Sequence, residues 1–248
     1  MVRQMVIDIR REMPRIGTRK IYYILKDQLQ HYRIKLGRDG LFGFLKKEQL
    51  LIKPRKSYTK TTWSRHWMRK HPNLFKNITP KRPEQAWVSD ITYVSCKEGT
   101  IYLSLITDAF SRKIVGYNIS RDLRAEGVLQ ALKMAIRDRR SNLPLLHHSD
   151  RGLQYCSAPF QQLLASNGIK CSMTEANQDC YHNAMAERMN GILKDEFLPL
   201  CLTNIPEMEK IVTQSIYIYN NKRPHLNLKY KTPSEVHKQI TLKPVNIF

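Results

Sequence analysis

The chain has 248 residues, enough for one large or two modest domains, and its 42% hydrophobic and 25% charged content is that of a globular protein. Its 42 Lys and Arg against 21 Asp and Glu leave a formal net charge of +21, which points to a polyanionic partner. No apolar run approaches the roughly 18 residues that span a bilayer and the start "MVRQMVIDIRREMPR" lacks a signal-peptide core, so a cytoplasmic, nucleoid-associated location without a membrane partner is expected, a basic amphipathic membrane binder being the weaker reading.

The charge is unevenly spread: residues 1–83 hold 22 Lys and Arg against 5 Asp and Glu, whereas residues 84–248 hold 20 against 16. An electrostatic docking element should therefore precede an ordinary globular domain. Helical periodicity runs over 2–12 and 18–31, the second with Ile21, Ile24, Leu25 and Leu29 on one side and Thr18 placed to cap its start. A third helix is expected over 38–50, with Leu41, Phe42 and Leu45 buried. Three short helices, a tight turn and many cations predict an all-α, helix-turn-helix-like DNA-binding domain over 1–52. Residues 53–85 read as a basic linker, partly helical around Ser64 to Lys70, that could itself follow a phosphate backbone.

From Ala86 the texture changes. "WVSDITYVS", "IYLSLITDAF" and "RKIVGYNIS" predict three antiparallel strands in a meander. A helix over 124–138, a strand "PLLHHSD", a helix over 158–167, a strand "IKCSM" and helices over 184–197 and 206–221 follow. This order predicts an α/β domain over 86–240, a mixed five-stranded sheet with flanking helices, in which the crossover sets the fourth strand parallel to the first. Residues 241–248 are a tail. The five cysteines form no C-x-x-C pair, so they are expected to pack as small hydrophobes.

A carboxylate inside a strand needs a reason, because burying it unpaired is costly. Asp90 is central in the first strand and Asp150 ends the fourth; if these strands are neighbours, the two acids converge at one edge of the sheet. Glu187, early on a later helix, is the natural third member. Such a trio repels itself unless cations hold it, and oxygen-only ligands favour two ions of Mg2+ or Mn2+. Two such ions suit in-line phosphoryl displacement. Taken singly, each acid has an ordinary reading as a cap or a helix-dipole partner, so the inference rests on the constellation. Asp108 is a rival that more simply braces the turn after its strand; Glu175 and Asp179 lie in a polar loop, a poor place for ligands.

Four ordered stretches, "WVSDITYV", "HHSDRGLQY", "NAMAERMNGILKDEF" and "YNNKRPHLNLKYKTPSEV", resemble the successive signatures of insertion-sequence transposases of the IS-three family, specifically their second-reading-frame product. "RIGTRKIYYIL" and "PNLF" extend the resemblance over nearly the whole chain. It implies a ribonuclease-H-like, retroviral-integrase-like fold and a DNA transposase that cuts at element ends and transfers the freed 3′ hydroxyl to another phosphodiester. The rival from another class is a non-catalytic DNA-binding regulator, or a decayed copy. The resemblance assigns catalysis and metal binding to Asp90, Asp150 and Glu187, and a phosphate contact to Lys194, seven residues after Glu187 on the same helix face. Asn183, Arg188, His148, Arg151 and Gly152 are further expected DNA contacts, with Arg15, Arg19 and Lys20 in the basic third. Trp87 reads as core, and Arg223 with His225 as structural or DNA-facing. The implied partners are double-stranded DNA at element ends and target, further copies of the chain on DNA, and an upstream-frame product by fusion or association. The segment from Asp150 to Glu187 is one residue longer than is usual in the family, with the extra residue assigned to the loop "TEANQDCYH", where His182 replaces a common acid.

Overall fold

The computed structural model of the protein describes residues 1–53, 68–76, 78–175, 184–199 and 204–238. Most of the helix expected around Ser64 to Lys70 lies outside these residues, as do Asn183, Asp179, His182, the expected site of the extra loop residue and the tail.

The first three helices are α1 (Val2–Glu12), α2 (Thr18–His31) and α3 (Arg38–Lys47). On α2 the four-residue spacing of Ile21, Leu25 and Leu29 puts all three on one buried face. Two local expectations change. Gly17, with no side chain to offer, occupies the cap position and Thr18 is already inside the helix. On α3 Leu41 and Leu45 are buried four residues apart, but Phe42, a further 100° around the helix, is 51% exposed. That helix stops at Lys47, and Gln49 in a left-handed conformation turns Leu50 back so that its N–H donates to the Leu45 carbonyl.

The sheet has five strands, β1 (Ala86–Cys96), β2 (Gly99–Asp108), β3 (Ile114–Ser120), β4 (Leu145–Ser149) and β5 (Ile169–Met173), in the order β3-β2-β1-β4-β5. The meander is antiparallel, and β1–β4 and β4–β5 are parallel, as the strand–helix alternation predicts. Helices α4 (Ala125–Arg137), α5 (Leu153–Cys156) and α6 (Ala158–Ser166) contribute to a core with Trp87, Ile106, Val128, Leu132 and Phe160. The approach of α4 to β3 requires Gly116, where a Cβ would stand 2.2 Å from the Ala131 carbonyl oxygen.

A second core contains residues of α7 (Ala184–Ile192), the π-helical turn Leu193–Phe197 that prolongs it, and α8 (Ile205–Asn221). It is continuous with the core of the first three helices: Val6, Ile21, Leu25 and Leu41 belong to the same cluster as Met189, Leu193, Phe197 and Tyr219. The 3-10 turn Leu226–Leu228 and the helix α9 (Pro233–His237) complete the described chain. Tyr23 of α2 stacks on Tyr230, whose left-handed backbone lies just beyond that turn. Among the described residues no helix is long and apolar enough to cross a membrane.

His147 is fully buried beside Trp87, edge-on to Phe160, with Nε2 2.7 Å from the Ser89 hydroxyl. Burial pushes its pKa down to about 3, so it stays neutral in the fold but takes a proton in the unfolded chain below the ordinary value of 6.5. The unfolded form then binds more protons, and stability falls by about 1.4 kcal/mol per pH unit on acidification through that window. In urea unfolding at about pH 7.5 and about pH 5, the wild type is expected to lose about 2 kcal/mol more than His147→Asn between the two conditions. Equal losses would contradict neutral burial.

Candidate active site

Parallel pairing brings Val88 opposite His148, and each strand then advances two residues, to Asp90 and Asp150. Because side chains alternate, Asp90 shares a face with Ala86 and Val88, the face covered by Ala186 and Met185 of α7. Asp150 follows the last residue of β4, and the Gly152 N–H donates to its Oδ1 at 2.9 Å. A Cβ on Gly152 would stand 3.1 Å from that same oxygen, so glycine leaves room for the turn. Glu187 lies exposed in the first turn of α7, and Asn190, one turn later, donates from Nδ2 to Asp90 Oδ2 at 2.7 Å.

The carboxylates of Asp150 and Glu187 both act on Asp90. Burial, then the Asp150 carboxylate and more weakly Glu187, push the Asp90 pKa from 3.8 up to about 7, against the pull of the Asn190 hydrogen bond. Oxygen-only donors that repel one another fit a hard divalent cation. Among the described residues, however, no three His, Cys, Asp or Glu side chains stand close enough to hold a metal ion as they are.

Three supports hold the acids. Pro72 and Leu74 of "PNLF" dock on β5, through the Met173 N–H to the Pro72 carbonyl and the Leu74 N–H to the Ser172 hydroxyl at 2.9 Å. Phe75 packs with Ala186 and Met185 and lies 5.1 Å from the His148 ring. His148 is itself fully buried, its Nδ1 2.9 Å from the Ser172 hydroxyl, so its imidazole braces β5 instead of facing solvent. Arg151 reaches from the Asp150 turn to the Thr174 carbonyl and joins the ends of β4 and β5.

On the helix side, Arg188 is exposed next to Glu187 and Lys194 is half-buried in the π turn, its pKa lowered by burial. The π turn departs from the continuous helix expected over 184–197, yet Lys194 is only its second residue, so it remains near the Glu187 face. The turn positions Glu196. Both carboxylate oxygens of Glu196 are gripped by Arg223, at 2.8 and 2.6 Å, and Oε1 also accepts from Lys20 Nζ at 2.9 Å. Arg223 is 2% exposed and its Nη1 lies 2.9 Å from His225 Nε2, so these two residues are structural. Lys20 is thus largely buried in an ion pair, Arg15 is half-buried with its N–H on the Glu196 carbonyl and its guanidinium on the Lys53 carbonyl, and Arg19 is exposed.

The rival acids have other work. Asp108 is fully buried and accepts from the Glu84, Phe110 and Ser111 N–H groups and the Ser111 hydroxyl, bracing its turn. Glu175 pairs with Lys76 at 3.5 Å. Asn190 and Glu196 are the positions that sequence reasoning missed. Asn190 had a signal, since three residues after Glu187 is the same helical face; Glu196 had none, because its partners lie in distant segments.

Residues 80–178 match a family model described as integrase core domain, and residues 167–233 match a second model of that description. The 31 kDa protein of insertion element IS600 from Shigella sonnei is 36% identical over 221 residues, covering 88% of this chain and 79% of that one. The transposase for insertion sequence element IS629, also from Shigella sonnei, is 32% identical over 228 residues, covering 90% and 73%. The transposase for element IS904 of Lactococcus lactis is 35% identical over 187 residues, covering 70% and 72%. In fold, a chain of the simian T-cell lymphotropic virus intasome in complex with a PP2A regulatory subunit is similar, with a TM-score of 0.56 at 21% identity over 75% of this chain and 64% of that chain.

The site acids and the brace should respond oppositely to neutralisation. A carboxyl whose pKa is raised by folding costs stability once it ionises, so at about pH 8 Asp90→Asn is expected to stabilise the metal-free protein by about 1 to 3 kcal/mol in urea unfolding. Asp108→Asn, which removes acceptors from buried donors, is expected to cost about 2 kcal/mol. A destabilised Asp90→Asn would show that the Asp90 charge is a structural element instead.

Proposed function

Because the chain belongs to the insertion-sequence transposase family, whose members are polynucleotidyl transferases acting on DNA, we propose that Asp90, Asp150 and Glu187 form its catalytic centre for cutting and joining strands at element ends. The observation that carries this reading is the repulsion Asp90 receives from Asp150 and Glu187 where two adjoining parallel strands and a helix meet. Asp108 and Glu196 are answered by N–H groups or cations alone, whereas Asp90, which accepts from Asn190 and the Ile91 N–H, is in addition repelled by two further carboxylates.

Asp90 and Asp150 would hold two magnesium or manganese ions with Glu187 completing the second position, and such a pair supplies activation of the attacking oxygen and stabilisation of the leaving one. Asn190 fixes one oxygen of Asp90 and so sets the direction of its other lone pairs. Glu187, exposed on the first turn of α7, would have to turn inward to complete the set, because among the described residues no three such side chains stand close enough as they are. Arg188 and Lys194, on the same helix and its extension, offer cations for the phosphates on either side of the scissile bond, and Arg151 keeps the Asp150 turn closed. Element ends act in pairs, so the working form holds at least two copies on DNA.

With a duplex carrying the element's end, Asp90→Asn, Asp150→Asn and Glu187→Gln are each expected to cut metal-dependent nicking by about 1000-fold, or about 4 kcal/mol of transition-state stabilisation, while DNA affinity stays within about two-fold. Chelation should abolish nicking in the wild type, and retained nicking in any of the three variants would reject that residue's role. Lys194→Ala is expected to lower the slope of log affinity against log salt by about one. An unaltered slope would remove Lys194 from the DNA contacts.

A further inference from the structure

A cleft of about 450 Å³ opens between the first turns of α2 and α3, lined among others by Arg19, Lys20, Arg38, Asp39, Phe42 and Leu226. Its wall carries three cations and one carboxylate, with Asp39 held by Arg38 at 2.9 Å, and its exposed apolar members are Phe42 and Leu226, 51% and 45% exposed. Lys20 stands at the junction of this cleft with the buried cluster around Glu196.

That cluster is over-supplied with positive charge. Glu196 is one carboxylate facing two cations, Lys20 and Arg223, and Arg188 adds a third positive field on Lys20. Burial and the Arg223 charge lower the Lys20 pKa even with Glu196 in contact. The two cations are not equivalent. Arg223 takes both carboxylate oxygens and is 3% exposed at its side chain, whereas Lys20 takes one oxygen that Arg223 already shares, is 15% exposed and is among the residues that line the cleft. Arg223 is therefore the permanent anchor and Lys20 the exchangeable partner, with an electrostatic gain available to any anion that enters the cleft.

We infer that this cleft seats a DNA backbone phosphate, and that Lys20, shared between the phosphate and Glu196, couples DNA seating on the first helices to the helix that carries Glu187. The inference rests on the chain acting on DNA, but not on the carboxylate centre. The connection is short: Glu196 lies in the π turn continuous with α7, on which Asn190 grips Asp90. Loading Lys20 with phosphate weakens its hold on one Glu196 oxygen and leaves the Arg223 grip in place. The end of the catalytic helix thereby senses DNA without coming loose. Phosphate contacts carry no base sequence, so the seat positions any duplex and selects none.

The test uses the full chain, a mixed-sequence duplex and no divalent metal, so that the outcome is independent of catalysis. Lys20→Met keeps Glu196 paired with Arg223 and should fold. It is expected to lower the salt slope of duplex binding by about one, and to abolish the faster amide exchange across residues 184–199 that duplex binding is expected to cause in the wild type as Lys20 loosens from Glu196. Glu196→Gln frees Lys20 for the phosphate and is expected to tighten binding, the opposite sign; if this variant fails to fold, Lys20→Met decides alone. Inorganic phosphate at the same total phosphate concentration should leave exchange across 184–199 unchanged. An unaltered salt slope in Lys20→Met, a DNA-induced acceleration that persists in it, or slowed exchange across 184–199 when the wild type binds the duplex overturns the inference, and equal acceleration by inorganic phosphate replaces the DNA seat with a free-anion site.

Discussion

Parallel pairing of β1 with β4 is the constraint on which the rest depends. It carries two carboxylates to the same edge of a sheet, where burial and mutual repulsion raise the proton affinity of Asp90. A fold selected only for stability would not keep such a pair side by side, and much of the surrounding architecture holds it there. Gly152 closes the turn below Asp150, Arg151 ties the strand ends, the "PNLF" segment clamps β5 and packs on α7, and Asn190 reaches back from α7 to Asp90. These supports come from three separate parts of the chain, residues 72–75, the turn 150–152 and Asn190.

A second constraint acts at the far end of α7, in the π turn that prolongs it. Among the described residues the first three helices are not a separate bead, because their apolar core merges with that of α7 and α8. At the seam sits Glu196, whose burial is tolerable because Arg223 and Lys20 meet it. The basic third of the sequence is in this way mechanically joined to the helix that carries Glu187.

The sheet and its order were legible because strand alternation and helix periodicity are local signals, and the right-handed crossover rule then sets β4 beside β1. Membership of the family was carried by motifs at fixed spacing. Asp108 was readable as a brace, since a carboxylate before a tight turn finds N–H groups on its own chain. Other features were hidden for physical reasons. "HHSD" looks polar, but both histidines are buried because serines from neighbouring strands answer them, Ser89 for His147 and Ser172 for His148. Phe42 looked like core and is exposed, because a helix of ten residues has room for one buried stripe. The π turn leaves no periodic trace, and the Glu196 cluster joins residues 20, 196 and 223, a contact that no local pattern encodes.

The claim that bears the most weight is that Asp90, Asp150 and Glu187 act as one site for a divalent cation. Electron paramagnetic resonance of Mn2+ titrated into the DNA-free protein tests it without reference to catalysis. Bound Mn2+ is expected in the wild type, weakened by Glu187→Gln and lost when Asp90 and Asp150 are both changed to Asn. Undiminished Mn2+ binding in the doubly changed protein would contradict it.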